Sequence, residues 1–249
     1  MRDISRPAEP VAPARRVRDQ TEEGSRPLLL GHGGVLAVEW LGRVPYRPTW
    51  DRQNALADAR RRREIGDRLL LLEHEPVYTL GRGGAEAHLL ASPARMAELG
   101  AELVRIDRGG DITFHGPGQL VAYPIVELAD PLDLRRYVRD LEAAVVSTAA
   151  AFGVAAGPVD GLPGVWVDGT RKLAAVGVRV RRGVTTHGLA LNVSTDLRWF
   201  AEIIPCGIPN CEVTSLERET GRAVALAEVA DRLAPNLAAA LGMRLAPDR

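Results

Sequence analysis

The sequence predicts an α+β domain with a mixed or antiparallel sheet and packed helices. Three observations lead there. Apolar stretches of strand length outnumber helical ones. Hairpin signals recur, most clearly Asp168-Gly169 between the apolar runs 165–167 and 173–180. Between residues 35 and 249 there is neither an internal repeat nor a domain-sized linker.

Residues 1–34 are rich in Pro, Arg and Glu without periodicity, and read as a disordered leader ahead of one domain spanning 35–249. A first strand is expected over 35–41. Thr49 is read as the N-cap of a helix to about Ile65, with Trp50, Leu56, Ala57 and Ile65 turned inward. The solid apolar run 69–72 suits a central strand, and 77–80 resumes extended structure after His74-Glu75-Pro76. Ser92-Pro93 has the cap and first-turn proline of a helix start. The runs 103–106 and 120–126 read as neighbouring strands on either side of residues 108–119, whose glycines fit neither strand nor helix. Asp130-Pro131-Leu132-Asp133 opens the clearest helix, running to about Phe152. Leu134, Tyr137, Val138, Leu141, Ala144 and Val145 recur in it at the 3.6 period. After the hairpin, Arg181-Arg182-Gly183 turns the chain into a strand over 184–186. A helix over about 226–241, kinked or split at Pro235, closes the fold.

Composition excludes several classes of function. Lys+Arg and Asp+Glu each number 32, and a formal charge of zero argues against nucleic-acid binding. No apolar run nears the roughly 18 residues of a membrane span, and the N-terminus lacks a signal-peptide core. Two cysteines in 249 residues fit a reducing cytoplasm better than a disulfide framework. Of the 32 basic residues 31 are Arg, and Lys172 is the only lysine. It reads either as an ordinary surface charge or as a site where a compact ammonium that can lose its proton is required.

Arg108-Gly109-Gly110-Asp111-Ile112-Thr113-Phe114-His115 opens a loop whose glycines would let backbone N–H groups approach a ligand. Cys206, between Pro205 and Gly207, sits on a constrained turn that could project its sulfur; the alternative is a small buried hydrophobe. Cys211 adjoins Glu212, whose charge would make it the poorer nucleophile. An ammonium about 4 Å from a thiolate, at an effective dielectric of about 20, contributes roughly 4 kcal/mol before desolvation. Each pKa unit takes about 1.4 kcal/mol, so half of that interaction already brings a thiolate within reach at neutral pH. Among the histidines, His32 and His88 read as surface residues and His74 as a strand-end cap, whereas His115 and His187 each precede a glycine at the end of a short strand. None has the spacing of a zinc ligand set, and no metal or soluble cofactor is expected. Asp160 and Asn192 are not separable from turn formers.

Four segments, RGGDITFHGPGQ (108–119), RKLAAVGVRV (171–180), THGLALNV (186–193) and IPCGI (204–208), resemble the lipoyl(octanoyl) transferases, relatives of the biotin and lipoate protein ligases; LLLEHEPVYTLGR (70–82) is also similar. The resemblance covers about residues 35–245 and implies the α+β catalytic domain of those ligases. It further implies transfer of an octanoyl group from acyl carrier protein to a lysine of lipoyl domains, those of 2-oxoacid dehydrogenases and the glycine cleavage H protein. Cys206 would form the thioester and Lys172 would lower its pKa. The acyl chain would lie along residues 108–115, Ala175-Val176-Gly177 and Gly188-Leu189-Ala190, whose small side chains leave a slot and whose N–H groups would be free for the thioester oxygen. His115 would help orient the acyl group, and Lys172, neutral once the sulfur is acylated, would take the acceptor's proton. The rival readings are an ATP-dependent lipoate–protein ligase, a non-catalytic module holding acylated carrier proteins, and a thioester hydrolase.

Overall fold

A computed structural model describes residues 34–208 and 211–247. Apart from Gly34, the leader read from residues 1–34 lies outside the described residues, and so does His32. Along the chain the elements run β1 (Val35–Val44), α1 (Tyr46–Arg61), β2 (Asp67–His74), β3 (Val77–Leu80), α2 (Pro93–Leu99), β4 (Glu102–Arg105), β5 (Ile112–His115) and β6 (Gln119–Ile125). They continue with α3 (Leu134–Ala151), β7 (Ala156–Val159), β8 (Leu162–Val167), β9 (Arg171–Arg181), β10 (Val184–Asn192), β11 (Glu212–Val213), α4 (Leu216–Thr220), α5 (Leu226–Ala240) and β12 (Arg244–Leu245).

Among the described residues these strands make two sheets. The larger runs β12-β1-β2-β6-β10-β9-β8-β7 with β11 alongside β9, and the smaller β4-β3-β5. From β2 to β7 the large sheet is antiparallel; β1 is parallel to β2 and β12, and β4 to β3. The fold is therefore α+β with mixed sheets, as the sequence predicts.

Strand periodicity sorts the two faces. Leu69 and Leu71 of β2, Leu120 and Ala122 of β6, and Leu189 and Leu191 of β10 meet α3 and α5 in the main core. Leu70 and Leu72, Val121 and Tyr123, and Ala190 face the other way. On that opposite side α1 covers Ile125 and Val184 with Ala57. Leu141, in the middle of α3, is wholly buried in the main core. Leu141→Ala lowers the unfolding free energy by about 2–5 kcal/mol, a loss that urea denaturation measures.

Several elements differ from the sequence reading. Helix α1 begins at Tyr46, after Pro45, and Thr49 lies one turn inside, its hydroxyl donating to the Pro45 carbonyl at 2.7 Å. Pro48 is tolerated in that first turn because its missing N–H has no intrahelical acceptor there. The inward face is Tyr46, Thr49, Gln53 and Ala57; Trp50 and Leu56 are half-buried, and Ile65 lies beyond the helix end. Residues 112–115 of the glycine-rich stretch form strand β5, antiparallel to β3. The runs flanking that stretch become β4 and β6, which belong to different sheets and are not neighbours. Strand β10 passes through His187 to Asn192 instead of stopping at Thr186. Pro235 does not split α5: both it and Asp231, whose carbonyl it leaves without an intrahelical donor, are exposed to solvent. The hairpin turns follow expectation, with positive φ at Asp168 and Gly169 and at Arg182 and Gly183.

Candidate active site

The lone lysine and Cys206 meet. Cys206 occupies a single 3-10 turn, Pro205–Gly207, with φ 56 and ψ 20, a left-handed conformation costly for a residue with a side chain. Gly207 follows in the same region at φ 66, and a Cβ there would stand 2.5 Å from Asp111 Oδ2 and 2.9 Å from His88 Cε1. Lys172, near the start of β9, is only 5% exposed. Trp166 is its partner on β8, and Nζ lies 4.7 Å from the centre of the indole ring. Nζ donates to Cys206 Sγ at 2.8 Å. A buried ammonium at that distance stabilises a thiolate, and few other arrangements would retain one inside the fold.

Beside this pair a narrow cavity is lined by Thr113 of β5, Ala175 of β9 and Ala190 of β10, with Asn192, Gln119 and Phe200. Ala175 is paired directly with Ala190 and Gly177 with Gly188, so the smallest side chains of the two strands coincide. The Arg108–Gly109 segment lies across this floor: Gly109 N donates to Val178 O at 3.0 Å, and a Cβ on Gly177 would meet Arg108 Cδ at 3.0 Å. Two expected slot residues turn away. Leu189 points into the main core and Val176 packs against it. Within β5 only Thr113 and His115 share the site side, while Ile112 and Phe114 join Tyr78 and Phe200 in the core of the small sheet. The amides of Leu189 and Ala190 are not free for an oxyanion, because β10 is paired on both edges at those residues.

Buried polar groups tie the site together. Arg108 Nη2 donates to Thr79 O at 2.7 Å and to Thr79 Oγ1 at 2.9 Å. Burial pulls its guanidinium below the usual value, offset by Tyr46 and by Cys206. Thr79 Oγ1 contacts His115 Nε2 at 3.3 Å, and His115 Nδ1 lies 2.8 Å from Gln119 Oε1. Gln119 Nε2 donates to Asn192 Oδ1 at 2.9 Å, and Asn192 Nδ2 to Thr214 O at 3.0 Å. Thr214 N returns to Lys172 O at 2.9 Å. Asn192, which the sequence could not separate from a turn former, thus links the histidine to the strand that carries the lysine.

His74 is wholly buried at the end of β2, with Nδ1 3.0 Å from Val44 O and Nε2 2.8 Å from Tyr123 OH. Burial lowers His74 to about 4 and, aided by the neighbouring charge of His74, lowers His115 to about 3. Both are neutral in the folded protein, while an unfolded histidine takes a proton below about 6.5. Their contribution to stability is complete above about pH 6.5 and is lost as pH falls towards those depressed values. Unfolding free energy therefore declines on acidification from pH 6.5 to 4. His74→Gln flattens that slope by about 1.4 kcal/mol per pH unit, as denaturation at stepped pH checks.

The remaining candidates separate. Asp111 accepts from Ile112 N at 2.7 Å and pairs with Nδ1 of His88, which is half-buried at the back of the Cys206 turn with its side chain still 29% exposed. Gly110 O accepts from Gly83 N at 3.1 Å, which fastens the loop to the turn after β3. His187 is buried at φ 59 with Nε2 2.8 Å from Asp107 Oδ1, and it does not line the cavity beside the sulfur. Burial, together with Cys206 and Glu212, pushes the Cys211 thiol up to about 11. Among the described residues no three His, Cys, Asp or Glu side chains gather as a metal set, and no helix is long and apolar enough to cross a membrane.

Comparison with known proteins gives three results. Residues 45–238 match the family model described as the lipoyl protein ligase A/B catalytic domain. An octanoyltransferase of Chloroflexus aurantiacus is 52% identical over 202 residues, covering 80% of this chain and 91% of the relative; one of Bacteroides fragilis is 48% identical over 208 residues, covering 80% and 94%. A bi-partite lipoate protein ligase of Thermoplasma acidophilum, solved in a study with its E2 lipoyl domain, superimposes with a TM-score of 0.66 at 19% identity, covering 86% of each chain. The last likeness shows the fold alone.

Proposed function

The chain belongs to the lipoyl protein ligase A/B catalytic domain family, and from that premise we propose that it is an octanoyltransferase of lipoate biosynthesis that works through a Cys206 thioester. The contact between Lys172 Nζ and Cys206 Sγ at 2.8 Å carries the reading. The donor is an octanoyl-loaded acyl carrier protein. The acceptors are lipoyl domains, those of 2-oxoacid dehydrogenases and the glycine cleavage H protein, and the reaction takes place in the cytoplasm. Residues 35–249 form the catalytic domain.

In the first half-reaction the Cys206 thiolate attacks the octanoyl carbonyl carbon. The new C–S bond forms as the bond to the carrier breaks, and the carrier's thiolate takes a proton from the Lys172 ammonium. In the second, the acceptor amine attacks the acyl-enzyme, a C–N bond forms, and the Cys206 thiolate leaves. The proton released from nitrogen returns to Lys172. The alanines and glycines at 175, 177, 188 and 190, with Thr113, form the floor beside the sulfur on which the acyl chain is laid. His115, held neutral by burial, supplies a fixed polar group there without a charge to desolvate.

Intact mass after incubation with octanoyl-loaded acyl carrier protein tests the proposal. One added octanoyl group, released by hydroxylamine, is expected. An unmodified mass, with acceptor modification only when ATP and free octanoate are supplied, would replace it with the ligase reading.

A further inference from the structure

Helix α3 buries a carboxylate that neither its amphipathic pattern nor the mechanism above requires. Glu142 is 6% exposed and neighbours Leu141 and Ala144 on the helix's inward side. Glutamate is almost never buried without a partner. The hydrogen-bond partner of Glu142 lies on the site side. Its Oε1 accepts from Gly164 N at 2.7 Å. Gly164, at φ 116, is also the residue against which the lysine arm lies, since a Cβ there would stand 3.1 Å from Lys172 Cε. One glycine thus holds the carboxylate by its amide and admits the lysine by its missing side chain. Burial raises Glu142 from the ordinary carboxylate value, while the Gly164 amide, Lys172 and Arg139 favour its charged form.

We propose that Glu142 is a positioning residue for the thiol–amine pair: set beside Lys172 through Gly164, its carboxylate biases the proton shared by Lys172 and Cys206 onto nitrogen, and so increases the thiolate share of Cys206. This rests on Cys206 acting as a thiolate. Lys172 and Cys206 share one proton, which sits either on sulfur, leaving both neutral, or on nitrogen, leaving an ammonium and a thiolate. A negative charge that acts on the lysine lowers the energy of the second arrangement. The Gly164 contact sets the carboxylate against the lysine arm, so its attraction to the ammonium is the interaction that biases the proton. The other charged or titratable groups around the pair are Arg108 beside Cys206, the paired Asp111 and His88 behind the Cys206 turn, Cys211 and Glu212 near β11, and the exposed Arg139 on α3. None of these contacts Gly164 in the way Glu142 does.

The test is the alkylation rate of Cys206 by iodoacetamide, followed by peptide mass in a Cys211→Ser background from pH 5 to 10. In the otherwise unaltered protein Cys206 alkylates at pH 7 at a substantial fraction of its alkaline plateau. Glu142→Gln lowers the pH 7 rate about tenfold while leaving the plateau unchanged, and has no such effect when Lys172→Met is also present. A Glu142→Gln protein that melts lower but keeps the unaltered pH profile would reduce Glu142 to a structural cap and overturn the proposal. Should that variant fail to fold, Glu142→Asp takes its place: a withdrawn carboxylate lowers the pH 7 rate by a smaller factor, and an unmoved profile refutes the idea. The two readings fail separately. An ordinary thiol profile before any change at 142 counts against the thiolate itself, whereas a thiolate profile that ignores residue 142 counts against Glu142 alone.

Discussion

Cys206→Ser reduces octanoyl transfer to lipoyl domains by about a thousandfold or more and abolishes the hydroxylamine-labile mass adduct, while the melting temperature changes little. Serine fits the space of cysteine, so the Pro205–Gly207 turn and its left-handed backbone can persist. What disappears is an ionisable atom: a hydroxyl holds its proton far too firmly for one ammonium at 2.8 Å to remove it. Octanoyl release assayed by mass spectrometry of the acceptor measures the loss. Cys211→Ser is the matched control. Its thiol, pushed up to about 11 by burial and by Cys206 and Glu212, stays protonated at neutral pH and is expected to contribute nothing to the rate.

Lys172→Met slows acylation of Cys206 at pH 7 by about thirtyfold, the size expected when roughly half of a 4 kcal/mol ion-pair interaction survives desolvation and is then removed. Methionine keeps the length and the packing against Trp166, so the loss reports charge. Lys172→Arg divides the two roles. A guanidinium still faces the sulfur but cannot give up a proton, so single-turnover acylation survives in part and transfer to the acceptor falls further. Full transfer activity in Lys172→Arg would remove Lys172 as the proton acceptor while leaving its electrostatic role standing.

Lys172 and Cys206 were each legible as candidates because each is unusual by composition or context, the one lysine among 31 arginines and a cysteine between proline and glycine, whereas their pairing came only from the family resemblance. The hairpins were legible because Asp168-Gly169 and Arg182-Gly183 can adopt positive φ locally. Gln119 and Asn192 were not, since an amide's value as a connector depends on which strands lie beside it, and β6 and β10 are 73 residues apart at that contact. Glu142 was missed for a related reason. A glutamate in a helix reads as solvated unless the partner on the next layer is known, and Gly164 comes from a different hairpin. The starts of α1 and of β5 were misread because local signals, Thr49 and the glycines around Asp111, were given more weight than the tertiary packing that set those boundaries.

An enzyme that carries an activated acyl group destined for a lysine runs the risk of labelling itself. Any ε-amine on its own surface, or on that of a neighbouring copy, competes with the true acceptor for the thioester. This chain has almost nothing to offer such a side reaction. Its surface cations are arginines, which stay protonated and are not acylated under these conditions. The single ε-amine is buried against Trp166 and the sulfur. The acyl-enzyme is therefore expected to wait for its partner with no surface lysine of its own kind among the competing nucleophiles.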